Sequence, residues 1–176
     1  MTYRSRLLVV TGAGISVAAG IWSTEDLYRV LYLRSLREAV QAVVEHPHQL
    51  LQRFRLFVIQ LYCRKPTAAH WALKTLRDRF GFTIATENRD DLHQKTGVHP
   101  VTRDEIPALD TTRYSALLMV GISEDRFSLI PQFRERGCEV HCLAKTPCPG
   151  VTHFREADCQ IELPWVVDSL PTTRES

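Results

Sequence analysis

The run Arg6-Leu7-Leu8-Val9-Val10, closed by Thr11-Gly12-Ala13-Gly14, constrains this chain more than any other feature. An unbroken apolar run bounded by glycines reads as a strand covered on both faces, which is the habit of parallel sheets. Gly12 and Gly14 then fall between that strand and a predicted helix. There, backbone N–H groups and a helix N-terminus can face a phosphate with no side chain in the way. The same glycines also suit a plain strand-to-helix turn, so the rest of the chain has to decide between the two.

Further along, apolar periodicity alternates between the two kinds of element. Residues 82–85, 116–120, 139–143 and 159–163 read as strands. A helix is expected to begin near Pro66, carry Ala69, Leu73, Leu76 and Phe80 on one stripe, and stop at Gly81; another spans 125–136 and closes at Gly137. Residues 25–62 read as a helical insertion in two pieces, broken at His46-Pro47. Residues 165–170 look like a closing helix, 96–113 like a long loop of the kind that is often functional, and 172–176 like a frayed tail. The expectation is α/β: a single doubly wound, mainly parallel, Rossmann-like sheet within one domain over 1–171.

Composition narrows the class. Lys and Arg number 22 against 20 Asp and Glu, a net charge of +2, so nothing gathers nucleic acid or anionic lipid. The longest apolar runs are far too short to span a bilayer and no signal segment is read, so a cytoplasmic protein is expected. Five cysteines, at 63, 138, 142, 148 and 159, form no CxxC pair. Neither a disulfide framework nor a zinc ribbon is readable, and Cys138, Cys142 and Cys148, with His141 among them, read as packed free thiols rather than a metal site.

Two further polar turns follow strands. Thr86, Glu87, Asn88, Asp90 and His93 lie just past residues 82–85, and Gly121-Ile122-Ser123 lies just past 116–120. Open α/β sheets place ligand groups at the carboxyl ends of their strands. Each turn has an ordinary alternative as a helix cap. A hydride-transferring dehydrogenase would show an acidic residue about 20 residues beyond the glycines, at the end of a second strand; here that stretch, around 34–38, lies in the helical insertion. An ordinary oxidoreductase is therefore disfavoured.

Taken together, these segments resemble the sirtuins, NAD-dependent protein deacylases. Gly12-Ala-Gly-Ile-Ser16 with Gly20-Ile21 is similar to their phosphate loop, Pro66-Thr-Ala-Ala-His70 to their Pro-Asn-Ala-Ala-His, and Thr86-Glu-Asn-Arg-Asp-Asp-Leu-His93 to their Thr-Gln-Asn-Ile-Asp-Gly-Leu-His. Gly121-Ile-Ser123 is similar to their Gly-Thr-Ser, and Ala157-Asp158 with Leu163-Pro164 to the end of their domain. The resemblance implies NAD as cofactor. Gly12, Ala13, Gly14 and Ser16 would surround the pyrophosphate with Ile15 and Gly20 close by, Gly121 and Ser123 the adenosine side, and Asn88 and Asp90 the nicotinamide ribose and carboxamide. It also implies an acyl-lysine oxygen attacking the ribose carbon as nicotinamide leaves, after a histidine base has activated a ribose hydroxyl. His99 is the candidate base.

The chain departs from the family pattern at several points. Trp22-Ser-Thr-Glu25 replaces the family's Pro, any residue, Phe and Arg, and Glu87 replaces a Gln, bringing an acid to the nucleotide. The Asn expected after the strand near Leu143 is missing, and the interval from Gln94 to Ser115 has no room for the four-cysteine module that shapes the acyl-peptide cleft. Expected activities are therefore cleavage of the nicotinamide–ribose bond or, alternatively, non-catalytic binding of NAD or ADP-ribose. In a third reading, the aromatic residues of the helical insertion make a homodimer surface, although helical spacing favours their burial in the core.

Overall fold

The computed structural model describes residues 6–21, 41 and 43–170. Five strands form one sheet: β1 (Leu7–Thr11), β2 (Thr83–Thr86), β3 (Ala116–Val120), β4 (Glu139–Ala144) and β5 (His153–Glu156). Their order is β2-β1-β3-β4-β5 and every pairing is parallel. Val10 stands opposite Ala85 on one side and Met119 on the other. The chain turns from one side of β1 to the other between β2 and β3, so the carboxyl ends of β1 and β3 flank the switch point where open sheets form a crevice.

Strand periodicity sends alternate residues into two cores. Leu8, Val10, Leu117, Met119, Val140 and Cys142 pack with Leu129, Ile130 and Phe133 of helix α4 (Leu129–Arg134). Val9, Ile84, Val120 and Leu143 pack with Ala69, Leu73 and Leu76 of α2 (Ala68–Phe80) and with Cys159 and Leu163 of α5 (Cys159–Ser169). Helices on both faces make the doubly wound α/β sheet expected from the alternation. α2 ends at Gly81 and the α4 segment at Gly137, each with a positive φ of 70°, which glycine adopts without a Cβ penalty.

Some elements differ from the sequence reading. Residues 159–163 are not a strand: Asp158 accepts the Gln160 N–H as an N-cap, and Cys159, Leu163, Val166, Val167 and Leu170 follow helical spacing into the core. The last strand is β5, which lies at the sheet edge with every residue exposed, so it carries no apolar alternation. The glycine turn leads into two 3-10 turns, Ala13–Ile15 and Val17–Ala19. The expected loop 96–113 is tied down: Val101 accepts from the Thr86 N–H and donates to the Ile84 carbonyl, both at 2.9 Å, and Ile106 is buried.

Trp22 and Thr24, the part of the predicted insertion before residue 41, with Glu25, Tyr28 and Tyr32, and the tail 172–176 lie outside the described residues. The second piece of the insertion is helix α1 (Pro47–Cys63), entered at Pro47 where a break was expected. Phe54 and Tyr62 on it are 54% and 53% exposed, so these two aromatics are not the core residues that helical spacing suggested. Among the described residues no helix is long and apolar enough to cross a membrane.

Candidate functional site

The glycine turn packs directly on the end of β3. Gly12 N–H donates to the Val120 carbonyl at 2.9 Å and Gly14 N–H to the Gly121 carbonyl at 3.0 Å. A Cβ on Gly14 would stand 2.8 Å from the Gly121 Cα, and one on Gly121 would stand 2.8 Å from the Ile15 amide nitrogen. Two backbones therefore meet with no space for a side chain on either. This is a packing reason for glycine that the sequence reading, which assigned these amides to a phosphate, did not contain. Ala13, at the tip of the turn, is exposed, whereas the Ile15 side chain is fully buried in the core and only its backbone borders the site. Gly20 closes the second turn at φ 74°, against the guanidinium of Arg64.

Three residues far apart in sequence converge beside this turn. Ser16 Oγ donates to Asp90 Oδ2 at 2.8 Å, and Asn88 Nδ2 donates to both the Ser16 Oγ and the Gly12 carbonyl at 3.0 Å. The other Asp90 oxygen accepts the Leu92 N–H at 3.1 Å, so Asp90 also starts α3 (Leu92–Lys95). Asp90 and Ser16 are buried, while Asn88 is half-buried. The Asn88 side-chain oxygen accepts no hydrogen bond among the described residues, which leaves one directed acceptor at the rim. Burial raises the Asp90 carboxyl pKa, against the lowering effect of the Ser16 and Leu92 hydrogen bonds.

Behind these groups lies a buried polar layer. Thr11 Oγ and His93 Nε2 are 2.9 Å apart, and the His93 ring meets that of His70 edge to face with centroids 4.7 Å apart. Thr67 caps α2, its N–H donating to His70 Nδ1 and its hydroxyl to the Ile15 carbonyl. Gln160 of α5 donates to the same carbonyl at 2.8 Å and accepts the Ala69 N–H. Burial lowers the pKa of His70 to about 3, with the neighbouring His93 adding to the effect, and that of His93 to about 4. Both rings are neutral near pH 7.

Glu87 follows β2, its N–H donating to the Thr11 carbonyl at 2.9 Å, and is 8% exposed. Burial raises its pKa to about 7; Arg126 and Arg103 oppose that rise, and Asp125 and Glu124 reinforce it. The acid that stands in the family's Gln position therefore holds its proton far more readily near neutral pH than an ordinary carboxyl does. Ser123 is exposed beyond Gly121. His99 is also exposed and forms no hydrogen bond or ion pair to Asn88 or Asp90. Thr67 and Gln160 were missed as site supports because they act through a backbone carbonyl; only the Thr-x-x-His capping spacing of Thr67 and His70 signals one of them.

A parallel sheet wound on both faces, with a glycine turn and a polar rim at its switch point, defines an α/β protein of the Rossmann-like class. The model of the Sir2 family matches residues 12–105. Human mitochondrial sirtuin-4, an NAD-dependent protein lipoamidase, is 32% identical over 142 residues, which cover 74% of this chain and 44% of the relative. An NAD-dependent protein deacylase of Ralstonia nicotianae is 32% identical over 95 residues, covering 52% of this chain and 39% of that protein. A solved Sir2 homologue in complex with NAD superposes with a TM-score of 0.67 at 18% identity, covering 92% of this chain and 88% of that one. The chain belongs to the Sir2 family. It spans less than half the length of these two curated relatives.

Proposed function

We propose that this chain binds NAD, or its ADP-ribose portion, in the crevice between the carboxyl ends of β1 and β3. The observation that carries the reading is the Ser16–Asn88–Asp90 group, gathered beside the glycine turn with the Asn88 oxygen left open. In this reading Gly12, Ala13, Gly14 and Ser16 adjoin the pyrophosphate, Gly121 and Ser123 the adenosine, and Asn88 and Asp90 the nicotinamide ribose. The open Asn88 oxygen suits a ribose hydroxyl, which can donate to it, while the Gly12 and Gly14 N–H groups are already bonded to Val120 and Gly121. Asn88 is held in one orientation by two acceptors, and burial, which favours the neutral form of Glu87, lessens its repulsion of a pyrophosphate. Bound NAD would supply a glycosidic bond whose cleavage releases nicotinamide; Asn88 and Asp90 would orient the ribose beside it.

Acyl-lysine deacylation is expected to be weak or absent. Thr24 and Glu25 stand where the family has Phe and Arg, and His99 makes no hydrogen bond or ion pair to Asn88 or Asp90. Preorganised contacts are each worth about 2.7–4 kcal/mol in a transition state, whereas ground-state binding can survive their loss. A cytoplasmic location goes with this reading, in keeping with cysteines that are all unpaired in the fold.

Calorimetric titration with NAD and with ADP-ribose, followed by a nicotinamide-release assay, tests the proposal. Both nucleotides should bind, and Asn88→Ala should weaken binding about fivefold, the value of one hydrogen bond. Absence of binding by either nucleotide overturns it, and acyl-peptide turnover at ordinary sirtuin rates overturns the expectation on deacylation.

A further inference from the structure

Away from the nucleotide rim, β4 and the edge strand β5 bring two histidines and a glutamate together. His141 and His153 are register partners across the parallel pair, and their rings stack with centroids 4.7 Å apart and planes 25° apart. Glu139, two residues before His141, projects on the same side of β4, and its Oε2 lies 3.1 Å from His141 Nε2. One ligand atom from each of the three residues lies within 4.8 Å of the others. His141 is half-buried while Glu139 and His153 are exposed, so the group is open to solvent.

We propose that Glu139, His141 and His153 form a binding site for a divalent transition metal of the zinc, nickel or copper class. Two imidazole nitrogens with one carboxylate oxygen suit those ions rather than magnesium or calcium, which prefer oxygen donors. Metal–ligand bonds of about 2.0–2.2 Å set neighbouring donors roughly 3–3.5 Å apart, so small rotations of exposed side chains complete the site. Three protein ligands leave room for water on the ion. An exposed Glu–His pair by itself contributes little to stability, whereas an ion shared across the register ties β5 to β4 at the first residue of the edge strand. Cysteine spacing carries no signal for this trio. The ligands come from two strands, and the histidines are paired by sheet register, not by a short sequence motif. Cys138 alternates to the other face of β4 and is not a ligand.

The test is calorimetric titration of the chelator-treated full chain with zinc chloride and with nickel chloride, alongside thermal melts. One ion should bind per chain and raise the melting temperature, as any ligand selective for the folded state does. His141→Ala and His153→Ala should each weaken binding by at least about tenfold, since even groups one shell out commonly cost that much. A Cys63→Ser, Cys138→Ser double variant should bind as the parent does. Circular dichroism of the histidine variants, altered at open positions, should show an unchanged fold. Full-strength binding in His153→Ala, loss of binding in the cysteine variant, or no response to either ion would overturn the proposal.

Discussion

Gly14 matters for the atom it lacks. Its Cβ position is 2.8 Å from the Gly121 Cα and 3.0 Å from the Gly121 oxygen, both backbone atoms that cannot rotate away. Gly14→Ala should therefore lower folding stability by about 1–3 kcal/mol, the usual cost of overpacking, and urea unfolding measures it. An unchanged midpoint would mean that the two loops part freely. Glu87 offers a second test, through pH. A carboxyl whose folded pKa is raised to about 7 from 4.5 holds its proton more tightly in the fold than in the open chain. Its contribution to stability is thus greatest below pH 4.5, declines as pH rises through that window, and is flat above 7. Glu87→Gln, which keeps the shape and removes the titration, should be more stable than the parent at pH 8 by about 1–3 kcal/mol and nearly equal to it at about pH 3.5. Equal denaturation midpoints at both pH values would show that solvent reaches Glu87 more freely than its burial indicates.

Among the elements, central and marginal strands should behave differently. β1 and β3 are paired on both sides and buried on both faces, whereas β5 is paired on one side and exposed throughout. Hydrogen exchange followed by mass spectrometry should find the amides of Leu8–Val10 and Leu117–Val120 protected up to global unfolding, and those of β5 exchanging through local opening. Equal protection of β5 would indicate an unexpected cover. The same contrast explains what could be read from the sequence. β1 and β3 announce themselves as apolar runs and β4 by the alternation of Val140 and Cys142 with polar neighbours, but His153-Phe-Arg-Glu156 has no buried face to pattern, so periodicity points to 159–163 instead. Gly81 and Gly137 were legible as helix stops because a left-handed residue favours glycine. That Ser16, Asn88 and Asp90 meet follows from turns just past strand ends sharing one rim, although a residue there can equally serve as a helix cap, as Asp90 does for Leu92. Thr67 and Gln160 were not legible as site residues, since a bond to the Ile15 carbonyl leaves no mark in residue type.

On the scale of the molecule, the two margins of the sheet are finished differently. Beyond β2, Val101 takes the Thr86 N–H and returns its own to Ile84, so the strand-like bonds of that margin are already met by the chain itself. Among the described residues no strand pairs with the outer side of β5, whose exposed Arg155 and Glu156 discourage a stray strand without filling the bonding sites. The stretch 96–113, read from its Gly and Pro content as a loop without period, therefore works as a selvage. It binds off the fabric on one side, so that among the described residues the margin left open for a strand from another chain is the β5 side.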